Sequence, residues 1–124
     1  MRRGDNRIVP KSGAAAIFAR GAVVLVTLNS PREKFWGAVL ELTAAGLGVR
    51  GIDLTCFDDF ARLVRDGEPA AASAVFFPMH RIERIELDTR NGNIPSLAER
   101  FAAKSGCDTA EILELAQPPV ERRR

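Results

Sequence analysis

The pattern of hydrophobic positions changes period along the chain, and each change marks a new kind of element. Alternation with β-branched or aromatic side chains predicts five strands, at 22–29, 34–42, 47–54, 74–79 and 81–88. The first strand is apolar on both faces, which is typical of a strand covered on both sides or of a strand in a closed barrel. In the fifth strand the alternation breaks at Glu83 and Arg84, so its two faces stay unassigned.

Helical spacing predicts three helices. Apolar residues at i, i+3, i+4 and i+7 from Phe57 predict a helix over 57–65, inserted between the third and fourth strands. Thr55, with Asp58 three residues later, resembles the N-terminal cap of this helix. Two capping boxes, Ser96 with Glu99 and Asp108 with Glu111, open C-terminal helices at 97–104 and 109–116.

Glycines inside the predicted strands indicate strong bending. Gly37, Gly48 and Gly51 stand where a missing side chain marks a bend or a close backbone approach. The sequence therefore predicts an α+β fold: a small, strongly bent, five-stranded antiparallel barrel with an inserted helix at 57–65 and two C-terminal helices. Its parts are a basic arm with a short lead-in (1–21), the barrel (22–90), the helical pair (91–117) and a basic tail (118–124).

The charge is distributed unevenly over a chain of ordinary globular composition. The 124 residues are 46% hydrophobic and 27% charged, which is typical of one folded domain. The formal net charge of +2 combines basic ends with an acidic body. Residues 21–120 hold ten basic groups and fourteen acids. Residues 1–20 hold five basic groups and one acid, and residues 121–124 hold three basic groups and one acid. An acidic body does not favour the wrapping of nucleic acid.

Features of membrane and secreted proteins are missing from the sequence. No apolar run approaches the ~20 residues of a membrane span, and the apolar stretch 14–18 is too short for a secretory signal. Cys56 and Cys107 cannot form a disulfide framework. The sequence therefore predicts a cytoplasmic protein with reduced thiols and no membrane partner.

Side chains that could carry catalysis are scarce. The single histidine, His80, is tied by no motif to a Ser, Thr or Cys, and a lone histidine in a strand is most often structural. His80 and the two cysteines lack the spacing of metal ligands, and no phosphate-binding or dinucleotide-binding motif occurs. We predict that the protein is not an enzyme and uses no cofactor or metal; an enzyme without a nominated mechanism stays as a third alternative.

Aromatic side chains stand next to each other on two predicted strands. Trp36 follows Phe35, and Phe77 follows Phe76, so one member of each pair points to each face of its strand. These residues either cover both faces of a barrel wall or form a subunit interface, where aromatic residues are enriched. Trp36, Phe76 and Phe77 are therefore candidate interface residues of a homo-oligomer.

Two segments together resemble the bipartite motif of the Sm/LSm-like small β-barrels. The first is AVVLVTLNSPREKFWGAVLELTAAGLGV and the second is VFFPMHRIERIEL. Gly37 stands at the place of the family's glycine in strand two, with Phe35 before it and Val39 after it, and Val49 matches a later apolar position. The resemblance covers 22–87, with the helix as an insertion, and it implies a bent five-stranded barrel that assembles into rings.

The chain departs from the family at the positions that bind RNA. Thr43 and Leu47 stand where RNA-binding members have the Asp and Asn that contact uracil. Pro78-Met79 replaces the Arg-Gly pair of the second motif, and neither Leu47 nor Pro78 can donate a side-chain hydrogen bond to a base. RNA binding is thus disfavoured, and in this alternative it would use His80, Arg81 and the basic ends.

The C-terminal helices have the outline of a helix-turn-helix, but the second helix does not suit DNA. It contains Glu111 and Glu114 and no basic residue, so it would repel phosphates. We expect no DNA partner. The sequence predicts a non-catalytic, self-associating module on an Sm-like barrel, in the form of a ring of copies, with an Sm-like RNA-binding protein as the alternative.

Overall fold

The fold is α+β, as the sequence predicts. The structure, a computed structural model, describes residues 14–113. Its strands are β1 (Val23–Leu28), β2 (Glu33–Thr43), β3 (Gly46–Asp53), β4 (Ser73–Pro78) and β5 (Ile82–Leu87). Its helices are α1 (Ala14–Ile17), α2 (Phe57–Arg65), α3 (Leu97–Ser105) and α4 (Thr109–Leu113), with 3-10 turns at Leu54–Cys56 and Met79–Arg81. The basic arm 1–11, the end of the last predicted helix and the basic tail lie outside the described residues.

The five strands form one antiparallel sheet in the order β4-β3-β2-β1-β5. The predicted closure into a barrel is wrong, because β4 and β5 share no hydrogen-bond ladder in the described chain. β4 pairs with β3 and β5 pairs with β1, at opposite ends of the strand order, and the turn Met79–Arg81 connects them along the chain. The sheet therefore keeps two open edges.

The sheet must nevertheless be rolled, because its two edge strands are joined by a short turn. In a flat sheet, four strand spacings would separate β4 from β5 by about 19 Å. The chain from Pro78 to Ile82 reaches about 14 Å even when fully extended, and a 3-10 turn is much shorter. The edges are thus drawn toward each other at the corner that Met79–Arg81 occupies.

Two glycines stand opposite each other at the bend. Gly37 on β2 pairs with Gly51 on β3. A Cβ at Gly37 would lie 2.3 Å from the carbonyl oxygen of Arg50, and one at Gly51 would lie 2.0 Å from that of Trp36. The close backbone approach that the interior glycines predict is thus confirmed at this pair, where a Cβ would meet the backbone of the neighbouring strand.

The concave face of the sheet encloses an inner core. Its buried members are Val24, Val26, Leu28, Phe35, Val39, Leu47 and Val49. Phe77 from β4 and Ile85 from β5 pack on this cluster from the two opposite edges, which confirms the roll. The rings of Phe35 and Phe77 meet edge to face at 5.3 Å. Phe18, just after α1, also packs against this core.

The convex face is covered by the helices, which form an outer core. Its buried members are Trp36, Ala38, Phe57, Phe60, Ala61, Phe101 and Leu113. Trp36 lies at its centre, with ring centroids 5.2 Å from Phe57 and 5.6 Å from Phe101. The apolar character of both faces of β1 therefore comes from a sheet that is covered on both sides, which is the first of the two alternatives.

Asp88 ties α3 to the sheet. Its carboxylate accepts from the indole N–H of Trp36 at 3.1 Å and from the backbone N–H groups of Leu97 and Ala98 at 2.7 and 2.8 Å. These N–H groups have no partner inside their own helix, so a carboxylate at this end is stabilising. The N-terminus of α3 is thus held directly against the outer core.

The predicted capping box of α3 is confirmed. The Ser96 hydroxyl accepts from the N–H of Glu99, and the Glu99 carboxylate accepts from the N–H of Ser96 at 2.8 Å. This backbone hydrogen bond lowers the pKa of Glu99 below its ordinary value. The predicted cap at Thr55 is wrong: Cys56 precedes α2 without a side-chain cap.

We predict that Gly51→Ala destabilises the fold, by on the order of 1–3 kcal/mol in the free energy of unfolding, because the new methyl group forces the β2 and β3 backbones apart. Gly48→Ala is the matched control on the same strand, since its Cβ would meet nothing closer than 3.8 Å. Urea unfolding of both variants measures the difference, and equal stabilities would contradict the assignment of the bend to Gly51.

Candidate functional site

The turn between β4 and β5 is fastened to the β1–β2 loop by Arg81. Its guanidinium donates to the carbonyl oxygen of Asn29 and, at 2.9 Å, to that of Pro31. It also forms an ion pair with Glu33 at 2.9 Å, and the Asn29 N–H donates back to the Arg81 carbonyl at 2.9 Å. With its side chain 19% exposed, Arg81 holds the corner of the sheet closed.

The two predicted RNA-binding residues therefore differ in their surroundings. His80 is exposed, and its imidazole makes no hydrogen bond or ion pair within residues 14–113. The guanidinium of its neighbour Arg81 is turned inward to protein partners. Leu47, at a base-contacting position of the Sm family, is fully buried. The structure does not bring His80 and Arg81 together into one binding surface, and RNA binding stays a prediction.

The three predicted interface residues lie in three different environments. Trp36 has no exposed surface and belongs to the outer core, so the structure favours the covering of a sheet face over a subunit contact for this residue. Phe77 packs against the inner core. Phe76 is 57% exposed on the outer face. Of the three, Phe76 is thus the residue that a second molecule can reach.

Phe76 lies on the open edge of β4. At the end of the β3–β4 ladder, the N–H of Met79 donates to the carbonyl of Ala45 at 2.8 Å. Successive residues of a strand point their N–H and C=O groups to opposite sides, so the odd-numbered residues of β4 bond to β3. The backbone groups of Ala74 and Phe76 then face the open edge. No charged side chain of Ser73–Pro78 guards this edge.

The open edge of β5 has a different character. The N–H of Asp88 donates to the carbonyl of Val23 at 2.9 Å, so the same alternation turns the backbone groups of Ile85 and Leu87 outward. Its charged residues are Glu83, Arg84 and Glu86. Arg84 pairs with Glu86 at 2.5 Å and Glu83 with Arg32 at 3.4 Å. Charges of both signs thus flank this edge, and inward or flanking charges oppose strand pairing.

The acidic side chains that line the groove near this corner are engaged with protein partners. A groove of about 560 Å³ is lined by Arg32, Glu33, Lys34, Asp53, Leu54 and Thr55. Its Glu33 is paired with Arg81, and its Asp53 accepts from the N–H and hydroxyl of Thr55. Within residues 14–113 no group of three His, Cys, Asp or Glu side chains could hold a metal ion.

In comparisons with protein-family models, with curated proteins and with solved structures, nothing matched this chain. No helix of residues 14–113 is long and apolar enough to cross a membrane.

The sequence predicts Phe76 as an interface residue, but it does not reveal that this side chain is exposed on an open edge. The alternation of β4 places Phe76 and Phe77 on opposite faces, and it does not say which face the helices cover. The partners of Arg81 are also invisible in the sequence, because two of them are backbone carbonyls of a loop about 50 residues away. The sequence signal for the two unlike edges is an uncharged strand (73–78) that is followed directly by a charged strand (82–87).

We predict that Arg81→Gln lowers the free energy of unfolding by roughly 1–3 kcal/mol, because it leaves the Glu33 carboxylate and the loop carbonyls without their donor. His80→Ala, the matched control on the neighbouring exposed residue, should change stability by less than about 0.5 kcal/mol. Thermal or urea unfolding measures both. An equal loss of stability in the His80 and Arg81 variants would contradict a stabilising role for the contacts of Arg81 with Glu33 and the β1–β2 loop.

Proposed function

We propose that this protein is a non-catalytic, self-associating module built on an Sm-like sheet. Two features support the Sm-like part of the proposal. Five strands form one antiparallel sheet, and Gly37 of the matched motif lies where β2 and β3 approach most closely. The helices α2 and α3 on the convex face are additions to that plan.

The observation that carries the proposal is the uncharged open edge of β4 with Phe76 exposed on it. Backbone N–H and C=O groups in a row template the addition of another strand. Burying an exposed phenylalanine against a partner adds roughly 1.5–3 kcal/mol to association. An edge of this kind is stable in solution when a second strand covers it.

A ring of copies is the assembly that the Sm resemblance implies. It would place β4 of one copy beside β5 of the next, since these are the two open edges. RNA binding, the alternative function, would then depend on exposed His80 and on the basic ends. It is the weaker candidate, since the inward-turned guanidinium of Arg81 offers it no support.

We predict that Phe76→Lys weakens self-association, with a dissociation constant at least about tenfold higher, because it removes the apolar contact and adds a charge to the edge. Ile94→Lys is the matched control. Ile94 is 66% exposed but lies outside the named strands, so its variant should assemble like the wild type. Sedimentation or native mass across a range of concentrations measures both.

Two outcomes would overturn the proposal. One is a wild-type protein that stays monomeric at all concentrations tested. The other is an equal loss of association in the Phe76 and Ile94 variants, since that would assign the contact to a different surface. Circular dichroism of each variant verifies that the protein is folded.

A further inference from the structure

We infer that the partner of β4 is the β4 of a second copy, in a two-fold antiparallel dimer centred on Val75. This inference rests on the proposed function, because it identifies which edge meets the open edge of β4. It differs from ring assembly, in which β4 would meet β5. Three properties of the edge carry it: its outward hydrogen-bonding groups, the faces on which its side chains lie, and its charge.

The outward backbone groups of β4 complement their own copy. Those groups belong to Ala74 and Phe76, which stand on either side of Val75. When a second β4 is placed antiparallel with Val75 opposite Val75, Ala74 of each copy lies opposite Phe76 of the other. Both residues then exchange N–H···O bonds across the interface. Every outward N–H and C=O of these two residues thus finds a partner.

The faces of the two sheets also match in this arrangement. A two-fold axis normal to the sheet at Val75 keeps the outer face of each copy on the same side. Phe76 then packs beside Ala74 of the second copy on the outer face, and the two Val75 side chains meet on the inner face. Cross-strand pairs of apolar side chains of this kind are stabilising. The contact is isologous and closed, as in most homodimers.

Pairing with β5 is less favourable for this edge. The outward groups of β5 belong to Ile85 and Leu87, so aligning them with those of β4 places Glu86 opposite Val75. This carboxylate forms its ion pair with Arg84 at 2.5 Å inside its own copy. The side chains of Val75 and Phe77 belong to the inner face, on which apolar residues pack. Pairing with β5 would bring the Glu86 carboxylate beside Val75 and Phe77. Pairing with the β4 of a second copy brings no charged side chain to this edge.

Cysteine cross-linking tests the register. In a full-length background with Cys56→Ser and Cys107→Ser, we expect Val75→Cys to form an intermolecular disulfide under mild oxidation. The two Val75 residues would form a non-hydrogen-bonded pair, in which the Cα atoms lie about 4.5 Å apart. This distance is within the ~4.4–6.8 Å range of disulfides. Glu86→Cys alone should not cross-link. A disulfide between Val75→Cys and Glu86→Cys copies in a mixture would overturn the dimer and support the ring.

Proline substitutions give a second test that needs no new disulfide. Ala74→Pro removes an N–H that faces the open edge and spares the bonds to β3, and edge strands tolerate proline in that orientation. We expect it to convert the dimer to a monomer. Leu87→Pro removes an outward N–H of β5 in the same way and should leave the dimer intact.

The outcomes separate the two proposals. A native mass of two copies that Ala74→Pro reduces to one and Leu87→Pro leaves unchanged supports the dimer. Loss of assembly in both proline variants, or a native mass above two copies, overturns the dimer while self-association stands. A wild-type protein that is monomeric at every concentration overturns self-association, and with it the dimer.

Discussion

The close approach of Gly37 and Gly51 is the constraint on which the rest of the structure depends. Their backbones come so near that a Cβ on either residue would lie 2.0–2.3 Å from a carbonyl oxygen of the other strand. A sheet that bends this sharply brings side chains of its two edge strands into one inner core. The three-residue turn from β4 to β5 is sterically feasible because the sheet has rolled. The hydrogen bond of Arg81 to the Pro31 carbonyl and its ion pair with Glu33 then hold that corner together.

Rolling the sheet leaves a convex face that also needs cover. The helices supply it, and the contact between Trp36, Phe57 and Phe101 joins strand β2 to both α2 and α3. Asp88, which follows β5 in the chain, binds the indole N–H and the start of α3 at once. An aromatic residue that could have served a subunit contact is thereby used inside one molecule. The outer core leaves Phe76, on the same face, uncovered.

The two open edges of the sheet are chemically unlike. β4 lacks charge and displays a phenylalanine, whereas Glu83, Arg84 and Glu86 flank β5. An uncharged edge favours strand addition, and a charged one opposes it. The proposed self-association uses this difference, because backbone hydrogen bonds along an uncharged edge can take up a second strand. In that proposal, the partner is the strand whose backbone groups and apolar side chains match those of β4.

The sequence by itself determines the elements of this protein. Alternation and helical spacing predict all five strands and helix α2 to within a few residues, and the pair Ser96–Glu99 predicts the start of α3. These are local properties, set by side-chain period and by backbone groups a few residues away. The strand glycines also predict the bending, although Gly48 has room for a side chain and Gly51 has none.

The tertiary structure alone decides how those elements are used. It shows an open roll where a closed barrel was predicted, because β4 and β5 pair with different neighbours and not with each other. In the folded protein the guanidinium of Arg81 is turned inward. Of the two aromatic residues Trp36 and Phe76, the first is buried and the second is exposed. These outcomes depend on residues some 50 positions apart in the chain, such as Arg81 with Asn29 and Trp36 with Asp88. No local pattern records such contacts, because they exist after the sheet has rolled and the helices have packed on it.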